Sequence, residues 1–252
     1  MHIERIGFTP VKSCRHTARD EVTLTAAGPI GDRVFCLVDR ARRRVLRTVE
    51  NPLLLQTVAA WDEEVLSVEL DGRTLTGTPV PTGETIGVDY WGRTAEVQPV
   101  TGPWAAAFSE YLGYDVLLGR AGRPGEVVYG ASVSLVGTDT MRGLSDRLGA
   151  AVDSARFRST FLVDTGGAEP HAEDAWVGHR LALGGAMVEV RQTIPRCAVV
   201  DSDPVSGVRD VPVLKTLGGY RHRGEDIFAG VDAVVVRPGV VRTGDRVELE
   251  KD

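Results

Sequence analysis

The sequence predicts a mostly β protein of the α+β class with a few short helices. Short runs of β-branched and aromatic residues recur between turn signals up to about position 100. Only two segments have the periodicity of a short amphipathic helix. Beyond the second of these segments, the chain again alternates strand-like runs with turns rich in glycine and proline.

The first hundred residues predict a small β-barrel or sandwich. Strands are expected over residues 3–8, 21–25 and 34–39, and a hairpin over residues 65–75 turns at Asp71-Gly72. The basic run at 40–44 is typical of an exposed hairpin tip. Thr101-Gly102-Pro103 is the first clear break, so we expect two domains, residues 1–100 and 101–252.

The second part of the chain predicts two helices among strands. The helices are expected over residues 103–112 and 138–148, with Thr138 as the N-cap of the second. Residues 120–130 hold three glycines and a proline and predict a loop. Residues 178–185 predict a turn-rich connection. The predicted strands are residues 132–136, 161–164, 187–193, 231–237 and 246–250.

Bulk properties narrow the functional classes. A chain of 252 residues with 42% hydrophobic residues can bury an ordinary core. The net charge of −6 argues against a nucleic-acid partner. No apolar run reaches the roughly 20 residues that cross a bilayer, and the first residues lack the apolar region of a signal peptide, so we expect no membrane association and a cytoplasmic location. No flavin or dinucleotide motif is visible, so a reductant would be a separate protein or small molecule.

The three cysteines are an odd number at long spacings, which fits neither a disulfide framework nor a CxxC-type zinc site. Cys197 differs from the others because it follows a strand that ends at Pro195-Arg196. Proline restricts the backbone there, and the arginine charge favours a thiolate, which would act as a nucleophile or a metal ligand. The alternative is a small buried core residue, which is our interpretation of Cys14 and Cys36.

An ordered series of short stretches covers nearly the whole chain. The stretches are Pro10-Val11-Lys12-Ser13-Cys14, the run from Gly31-Asp32-Arg33 to Asp39, Arg156-Phe157-Arg158, Ala172-Glu173-Asp174-Ala175-Trp176, Arg196-Cys197 with Asp203-Pro204-Val205-Ser206-Gly207, the run from Pro212 to Arg221, and Val241-Arg242-Thr243-Gly244-Asp245. In this order the series resembles the MOSC superfamily with its N-terminal β-barrel domain. Within that superfamily it is similar to the mitochondrial amidoxime reducing component and its bacterial relatives.

The resemblance implies an N-terminal β-barrel domain packed on a MOSC-type β-barrel domain, with a molybdenum cofactor (Mo-molybdopterin) in the cleft between them. It implies that Cys197 ligates the metal. The groups that suit the cofactor's phosphate and polar atoms are then cations and hydroxyls. These groups are Lys12, Ser13, Arg33, Arg158 and Arg196. The resemblance also implies that Asp174 lies near the substrate as an acid, with His171 as another possible proton donor; the alternative for Asp174 is a carboxylate at the start of a helix.

Two positions depart from the family pattern. Ser159-Thr160 follows Arg156-Phe157-Arg158 where Pro-Asn is common, and Val49 stands where an arginine is usual unless Arg47 replaces it. The leading hypothesis is a molybdenum-dependent oxidoreductase that reduces N-hydroxylated small molecules with electrons from an external donor. Two alternatives stay open. One is cofactor-free thiol chemistry at Cys197, such as persulfide sulfur transfer or carbon–sulfur bond chemistry, and the other is a carrier or binding module for the cofactor.

Overall fold

The computed structural model describes residues 1–250. The first strands are β1 (His2–Phe8), β2 (Thr17–Arg19), β3 (Glu21–Thr25), β4 (Gly28–Pro29), β5 (Phe35–Asp39), β6 (Arg44–Val45), β7 (Val58–Trp61), β8 (Leu66–Leu70), β9 (Arg73–Gly77), β10 (Val80–Pro81), β11 (Ile86–Tyr90) and β12 (Arg93–Thr101). The later strands are β13 (Val116–Ala121), β14 (Val133–Gly137), β15 (Phe161–Asp164), β16 (Arg180–Leu183), β17 (Ala186–Pro195), β18 (His222–Arg223), β19 (Asp226–Arg237), β20 (Gly239–Arg242) and β21 (Val247–Leu249). The helices are α1 (Trp104–Leu112), α2 (Thr138–Leu148) and α3 (Val213–Arg221), with 3₁₀-helices at Pro52–Gln56, Ser154–Phe157, Ala172–Trp176 and Ala198–Asp201.

Five strands close a small barrel in the first half of the molecule. Around the ring, β5 pairs with β6, β6 with β11, β11 with β12 and β12 with β13, and β13 pairs back with β5. A closed ring leaves no unpaired strand edge. The short strands predicted from turn signals therefore form the barrel that the sequence favoured, and residues 116–121, beyond the expected break, complete it.

A nine-stranded sheet forms most of the second half. Its order is β2-β1-β15-β14-β19-β17-β16-β21, with β18 paired to β19. The sheet curls back on itself, because Val247 N donates to Met1 O (3.0 Å) and Ile3 N donates to Asp245 O (2.8 Å). The predicted fold class, mostly β with two barrel-like units and a few short helices, is confirmed.

The first strand of the chain lies in the second sheet. In β1, Ile6 is opposite Phe161 of β15, and both side chains are fully buried. Further along, β3 pairs with β20. Between β1 and β2, residues 10–12 run beside the start of β5, where Phe35 N donates to Pro10 O (2.9 Å) and Lys12 N donates to Phe35 O (2.8 Å), so this segment lies at the junction between the two halves. The chain enters the first barrel only after β4.

Local signals explain why several predicted elements form. The turn Asp71-Gly72 has positive φ at both residues, 50° and 70°, which suits the tight hairpin between β8 and β9. Helices α1 and α2 begin and end within one residue of the predicted bounds. Each helix ends at a left-handed glycine, Gly113 or Gly149, whose missing Cβ makes that conformation inexpensive.

Three local predictions are wrong. The N-cap of α2 is Gly137, and Thr138 is its first helical residue. The predicted connection at 178–185 contains β16, whose Leu181 and Leu183 alternate with more exposed residues and are fully buried. Helix α3 (Val213–Arg221) was not predicted, because Gly218-Gly219 weakens its helical propensity. Burial of Val213 and Leu217 against the sheet stabilises it in the folded protein.

Candidate functional site

A cavity of about 300 Å³ opens at the junction of the two halves. Segments from both halves line it. The lining residues are Lys12, Ser13, Arg33, Arg47, Thr48, Val49, Tyr90, Trp91, Val128, Tyr129, Ala131, Ser132, Val133, Ser134, Phe157, Arg158, Thr160, Ile194, Pro195, Arg196, Cys197, Val199 and Asp226. The cavity thus brings together six of the eight residues that the sequence singled out, which are Lys12, Ser13, Arg33, Arg158, Arg196 and Cys197. Asp174 and His171 do not line it.

Strand β17 positions Cys197. The strand pairs with β19 along its length, and its pairing shifts register between Thr193 and Pro195 just before the thiol. Arg196 N donates to Ile227 O (2.7 Å), and Cys197 itself is extended and begins the 3₁₀-helix Ala198–Asp201. The Cys197 side chain is half-buried, whereas Cys14 and Cys36 are fully buried. Of the three thiols, Cys197 is therefore the one at the cavity wall.

Arg196 lies beside the thiol in a buried frame of carbonyl oxygens. Its Nε donates to Ala229 O (2.7 Å) and its Nη1 to Phe157 O (3.0 Å). Burial lowers the pKa of Arg196 to about 10. Its Nη2 is buried and has no hydrogen-bond partner within residues 1–250. A buried donor without a partner costs free energy, and a ligand oxygen that reached this nitrogen would recover it.

Gly230 gives the Arg196 side chain its space. Its φ is +70°, and a Cβ there would lie 2.9 Å from Arg196 Nη2 and 2.7 Å from Leu135 O. Any larger residue would therefore strain the backbone and push the guanidinium group out of position.

Lys12, Arg33 and Arg158 form a cationic cluster at the other side of the cavity. Arg33 pairs with Asp32, meets His16 Nε2 at 3.1 Å and donates to Arg158 O at 3.3 Å. Arg158 Nη2 donates to Cys14 O (2.8 Å), while Arg158 Nη1 is buried with no partner in the described chain. Asp32 offsets one charge of the cluster and leaves the others without a carboxylate.

Burial shifts the ionisation of this cluster. The pKa of Lys12 falls to about 7, mainly through burial and further through the charges of Arg33 and Arg158. The pKa of Arg158 falls to about 10 for the same two kinds of reason. The Lys12 ammonium group also lies 4.8 Å from the centre of the Tyr90 ring, which is a cation–π contact. An anion bound among these groups would restore their charged forms.

The backbone of the cluster is strained. Ser13, Arg33 and Arg158 have φ values of 78°, 49° and 51°, in the left-handed region that non-glycine residues seldom adopt. Each residue held in this conformation lowers the free energy of unfolding by about 1 kcal/mol or more. The Ser13 hydroxyl donates to Leu46 O (2.9 Å), so its proton is already used and would have to turn to serve a ligand. Strain concentrated in three cavity residues is a feature of functional sites.

Arg47 occupies the region of the first sequence departure. Arg47, Thr48 and Val49 all line the cavity. The pKa of Arg47 is raised, first by its hydrogen bond to Glu50 and to a smaller extent by other negative groups that include the Cys197 thiolate. Arg47 therefore lies in the cavity wall beside Val49, in the place where it would replace the family's arginine.

The second departure has a structural role. Thr160 Oγ1 accepts from Ser134 N, and Thr160 N donates to Ser134 Oγ, both at 3.1 Å. This reciprocal pair fixes the segment that follows Arg158 against β14. Thr160 and Ser134 also line the cavity, so the change from the family pattern alters its polar wall.

Asp174 lies away from the cavity in a separate set of polar side chains. It pairs with Arg221 and meets Arg223 Nη2 at 3.5 Å. Nearby, His171 Nε2 meets Tyr220 Oη at 3.1 Å, and burial and then the charge of Arg221 lower the pKa of His171 to about 4. We call these five residues the Asp174 network. The structure thus places both expected proton donors outside the cavity lining.

Sequence reasoning missed several lining residues. Trp91 and Tyr129 stand at the cavity with ring centroids 5.3 Å apart, and Asp226 is the one lining carboxylate in residues 1–250. One signal for Trp91 was present in the sequence. The pair Trp91-Gly92 lies between two strand-like runs, where asparagine, aspartate or glycine is the usual first residue of a tight turn.

Comparison with known families identifies the chain. The MOSC N-terminal beta barrel domain family matches residues 1–115, and the MOSC domain family matches residues 115–248. The chain therefore belongs to the MOSC family, which is associated with binding of the molybdenum cofactor. The two matched ranges meet at 115; the expected boundary at 100 stays a prediction.

Solved structures show more distant similarity. The YUAD protein from Bacillus subtilis is 12% identical, with a TM-score of 0.48 over 98% of this chain and 93% of its own. YiiM from Geobacillus stearothermophilus is 14% identical, with a TM-score of 0.35 over 48% of this chain and 55% of its own. No curated protein matches the sequence. Among the helices of residues 1–250, none combines the length and apolarity that a membrane crossing requires.

Proposed function

We propose that the cavity binds the molybdenum cofactor and that the protein is an oxidoreductase acting on N-hydroxylated small molecules. One observation carries the proposal: a half-buried thiol shares a cavity with buried cations that lack partners. Cys197 is the thiol, and Arg158 and Arg196 each keep one guanidinium nitrogen unpaired within the described residues. A thiolate suits a thiophilic metal, and unpaired guanidinium groups suit phosphate oxygens.

The lining residues fit the cofactor in charge and in chemistry. Five lining side chains are cationic or carry a titratable amine, against one carboxylate. Lys12, Arg33 and Arg158 would hold the terminal phosphate, with Ser13 beside them, and Cys197 would ligate the metal. No cluster of three histidine, cysteine or carboxylate side chains suited to a metal exists in residues 1–250, so the remaining ligands would come from the cofactor.

The proposed reaction consumes two electrons and two protons for each N-hydroxyl group reduced to an amine, with release of water. When bound, the cofactor supplies the redox chemistry. The protein's residues bind it, neutralise its charge and deliver protons. Asp226, rather than Asp174, is the carboxylate at the cavity and is our candidate proton donor. Electrons would come from a separate donor protein or a small reductant.

The similarity to the mitochondrial amidoxime reducing component, given above on sequence motifs, supports the choice of substrate class. It is part of the proposal, because MOSC family membership by itself does not specify a substrate. An N-hydroxylated amidine is therefore the first compound to test.

The decisive experiment measures molybdenum and pterin per chain after expression in a host with an active cofactor pathway. We expect close to one molybdenum per chain in the wild type and a changed electronic spectrum in Cys197→Ser. Cys36→Ala is the matched control, because Cys36 is fully buried and does not line the cavity. A folded wild-type protein with neither metal nor reduction of an N-hydroxylated amidine would contradict the proposal.

Thiol chemistry without the cofactor is the second candidate. The observation in its favour is that the half-buried Cys197 thiol shares the cavity wall with Arg196 and Arg47, so an anionic sulfur donor or substrate could bind beside it without any metal. Metal-free protein that carries a persulfide on Cys197 by mass spectrometry would support this candidate. Cofactor binding by both the wild type and Cys197→Ser, with no turnover by either, would instead support a carrier.

A further inference from the structure

Two exposed aromatic side chains face each other at the mouth of the cavity. Trp91 is 45% exposed and Tyr129 is 54% exposed, and both belong to the lining. Their ring planes are inclined at 54°. One comes from the barrel of the first half and the other from a loop of the second half. Large aromatic surfaces left open beside a cavity favour contact with an apolar or π-bonded ligand.

The backbone at Trp91 shows that the ring is held there at a cost. Trp91 and Gly92 have φ values of 56° and 77°, the conformation of the Asp71-Gly72 turn. Aspartate tolerates that first position, whereas a bulky side chain is strained there. Because Trp91 is 45% exposed and belongs to no core cluster of residues 1–250, core packing does not offset this strain. The Arg47 guanidinium group, 4.4 Å from the ring centre, holds the indole toward the cavity.

Tyr129 is presented by an anchored loop. Before it, the Arg93 side chain donates to Glu126 O (2.5 Å). After it, Ala131 N donates to Asp232 Oδ2 (3.3 Å), and Gly130 has a φ of +80° where a Cβ would lie 2.7 Å from the same carboxylate oxygen. Both sides of the loop are thus fixed while the phenol ring stays exposed.

We propose that Trp91 and Tyr129 bind the flat, π-bonded part of the substrate and thereby select aromatic over aliphatic compounds. This inference rests on the proposed function, because the cofactor would fill the charged interior of a cavity of about 300 Å³. The part of the substrate that carries no N-hydroxyl group would then lie at the mouth of the cavity, beside Trp91 and Tyr129. Stacking on these rings holds the N-hydroxyl group toward the Cys197 side of the cavity.

The test compares a phenyl-substituted N-hydroxyamidine with its methyl-substituted counterpart, with binding measured by calorimetry. The variants are Trp91→Asn, which places a preferred turn residue at the strained position and should fold, and Tyr129→Ala, with Tyr129→Phe as the conservative control. We expect the wild type to prefer the phenyl compound. The preference should fall about tenfold in Trp91→Asn and Tyr129→Ala and be kept in Tyr129→Phe.

A wild type without preference for the phenyl compound, or a preference unchanged in both variants, would overturn the inference. The same samples separate it from the proposed function. Ring-dependent binding by a protein that holds no molybdenum and reduces neither compound would leave the inference standing and remove the proposed function. Molybdenum-dependent reduction of both compounds, with KM ratios that the variants do not alter, would support the proposed function and remove the role of Trp91 and Tyr129 in selecting the substrate.

Discussion

The cavity and the Asp174 network are both rich in arginine, but they differ in how the charges are balanced. In the network, Asp174 pairs with Arg221 and lies close to Arg223. In the cavity, Arg158 and Arg196 donate to backbone carbonyl oxygens, and each retains an unpaired nitrogen within residues 1–250. Cations with partners stabilise a fold, whereas buried cations without them reduce its stability until a ligand arrives. Under the proposed function, this difference makes the cavity the binding region and the network a structural one.

The largest effect should come from removing a cavity cation. We expect Arg158→Met to weaken retention of the pterin phosphate about a hundredfold, because the charge and the charge-assisted hydrogen bonding of its unpaired nitrogen are lost. Arg221→Met is the matched control, since it removes an arginine from the network. Pterin content after dialysis and thermal unfolding would be measured together. Equal loss of pterin in both variants would erase the distinction between the regions.

Substitution of Asp174 should affect stability more than catalysis. Asp174→Asn leaves Arg221, whose side chain is 13% exposed, without its carboxylate. We expect the free energy of unfolding to fall by about 2 kcal/mol, with kcat changed less than twofold. Urea unfolding and steady-state kinetics check the two parts. A large fall in kcat at unchanged stability would restore Asp174 as the catalytic acid that the sequence favoured.

Anion binding in the cavity should weaken as pH rises through about 7. The pKa of Lys12 in the anion-free protein is lowered to about 7, so the amine loses its charge above that pH. A bound anion raises this pKa, and binding therefore takes up a proton. Calorimetric titration with sulfate from pH 6 to 9 should show falling affinity. Lys12→Met should flatten the dependence, and an equally steep profile in that variant would contradict the assignment.

The same pKa shift also predicts how the stability of the anion-free protein depends on pH. Between pH 7 and 10.5 the unfolded chain holds a proton on Lys12 that the folded chain lacks. Stability therefore gains a contribution that increases with pH across this window. Comparison of wild type with Lys12→Met by urea unfolding isolates it; a contribution that decreases with pH would be inconsistent with a buried amine.

The smallest effect should come from restoring the family's arginine. Val49 lines the cavity beside Arg47, so Val49→Arg adds one more cation to its wall. We expect about threefold tighter sulfate binding, because the new side chain is partly exposed to solvent. Weaker binding would show that Arg47 already fills the role and that the two charges repel.

Much of the fold follows from local signals in the sequence. The Asp71-Gly72 turn and the glycines after α1 and α2 indicate their elements because each is required by its own backbone conformation. Barrel closure cannot be predicted from local signals, because the pairing of β13 with β5 joins segments about eighty residues apart. Helix α3 was not predicted for a related reason, because its stability comes from tertiary packing and not from the helical propensity of its residues.

The residues of the candidate site also differ in whether they could be predicted from local sequence. Cys197 and the cations could be found from short motifs, since each carries its chemistry in its own side chain. Trp91 and Tyr129 could not be recognised as a pair, because only the tertiary structure brings them together. Asp174 does not line the cavity, and its role as an acid stays a prediction. Its partner Arg221 is 47 residues away, and the sequence does not show that the charge is already neutralised.

The position of β1 has a consequence for how the protein can be divided. The strand begins the chain, yet it pairs with β15 in the second sheet, and Val247 N donates to Met1 O at its other edge. A fragment cut near residue 115 would lose β13 from the first barrel and would leave β1 paired with β2 alone, because β15 lies in the remainder. The remainder would lack β1 and β2 from its sheet. Separate family models match the two halves, but each half contributes strands to the other's sheet, so neither half should fold alone as it does in the whole chain.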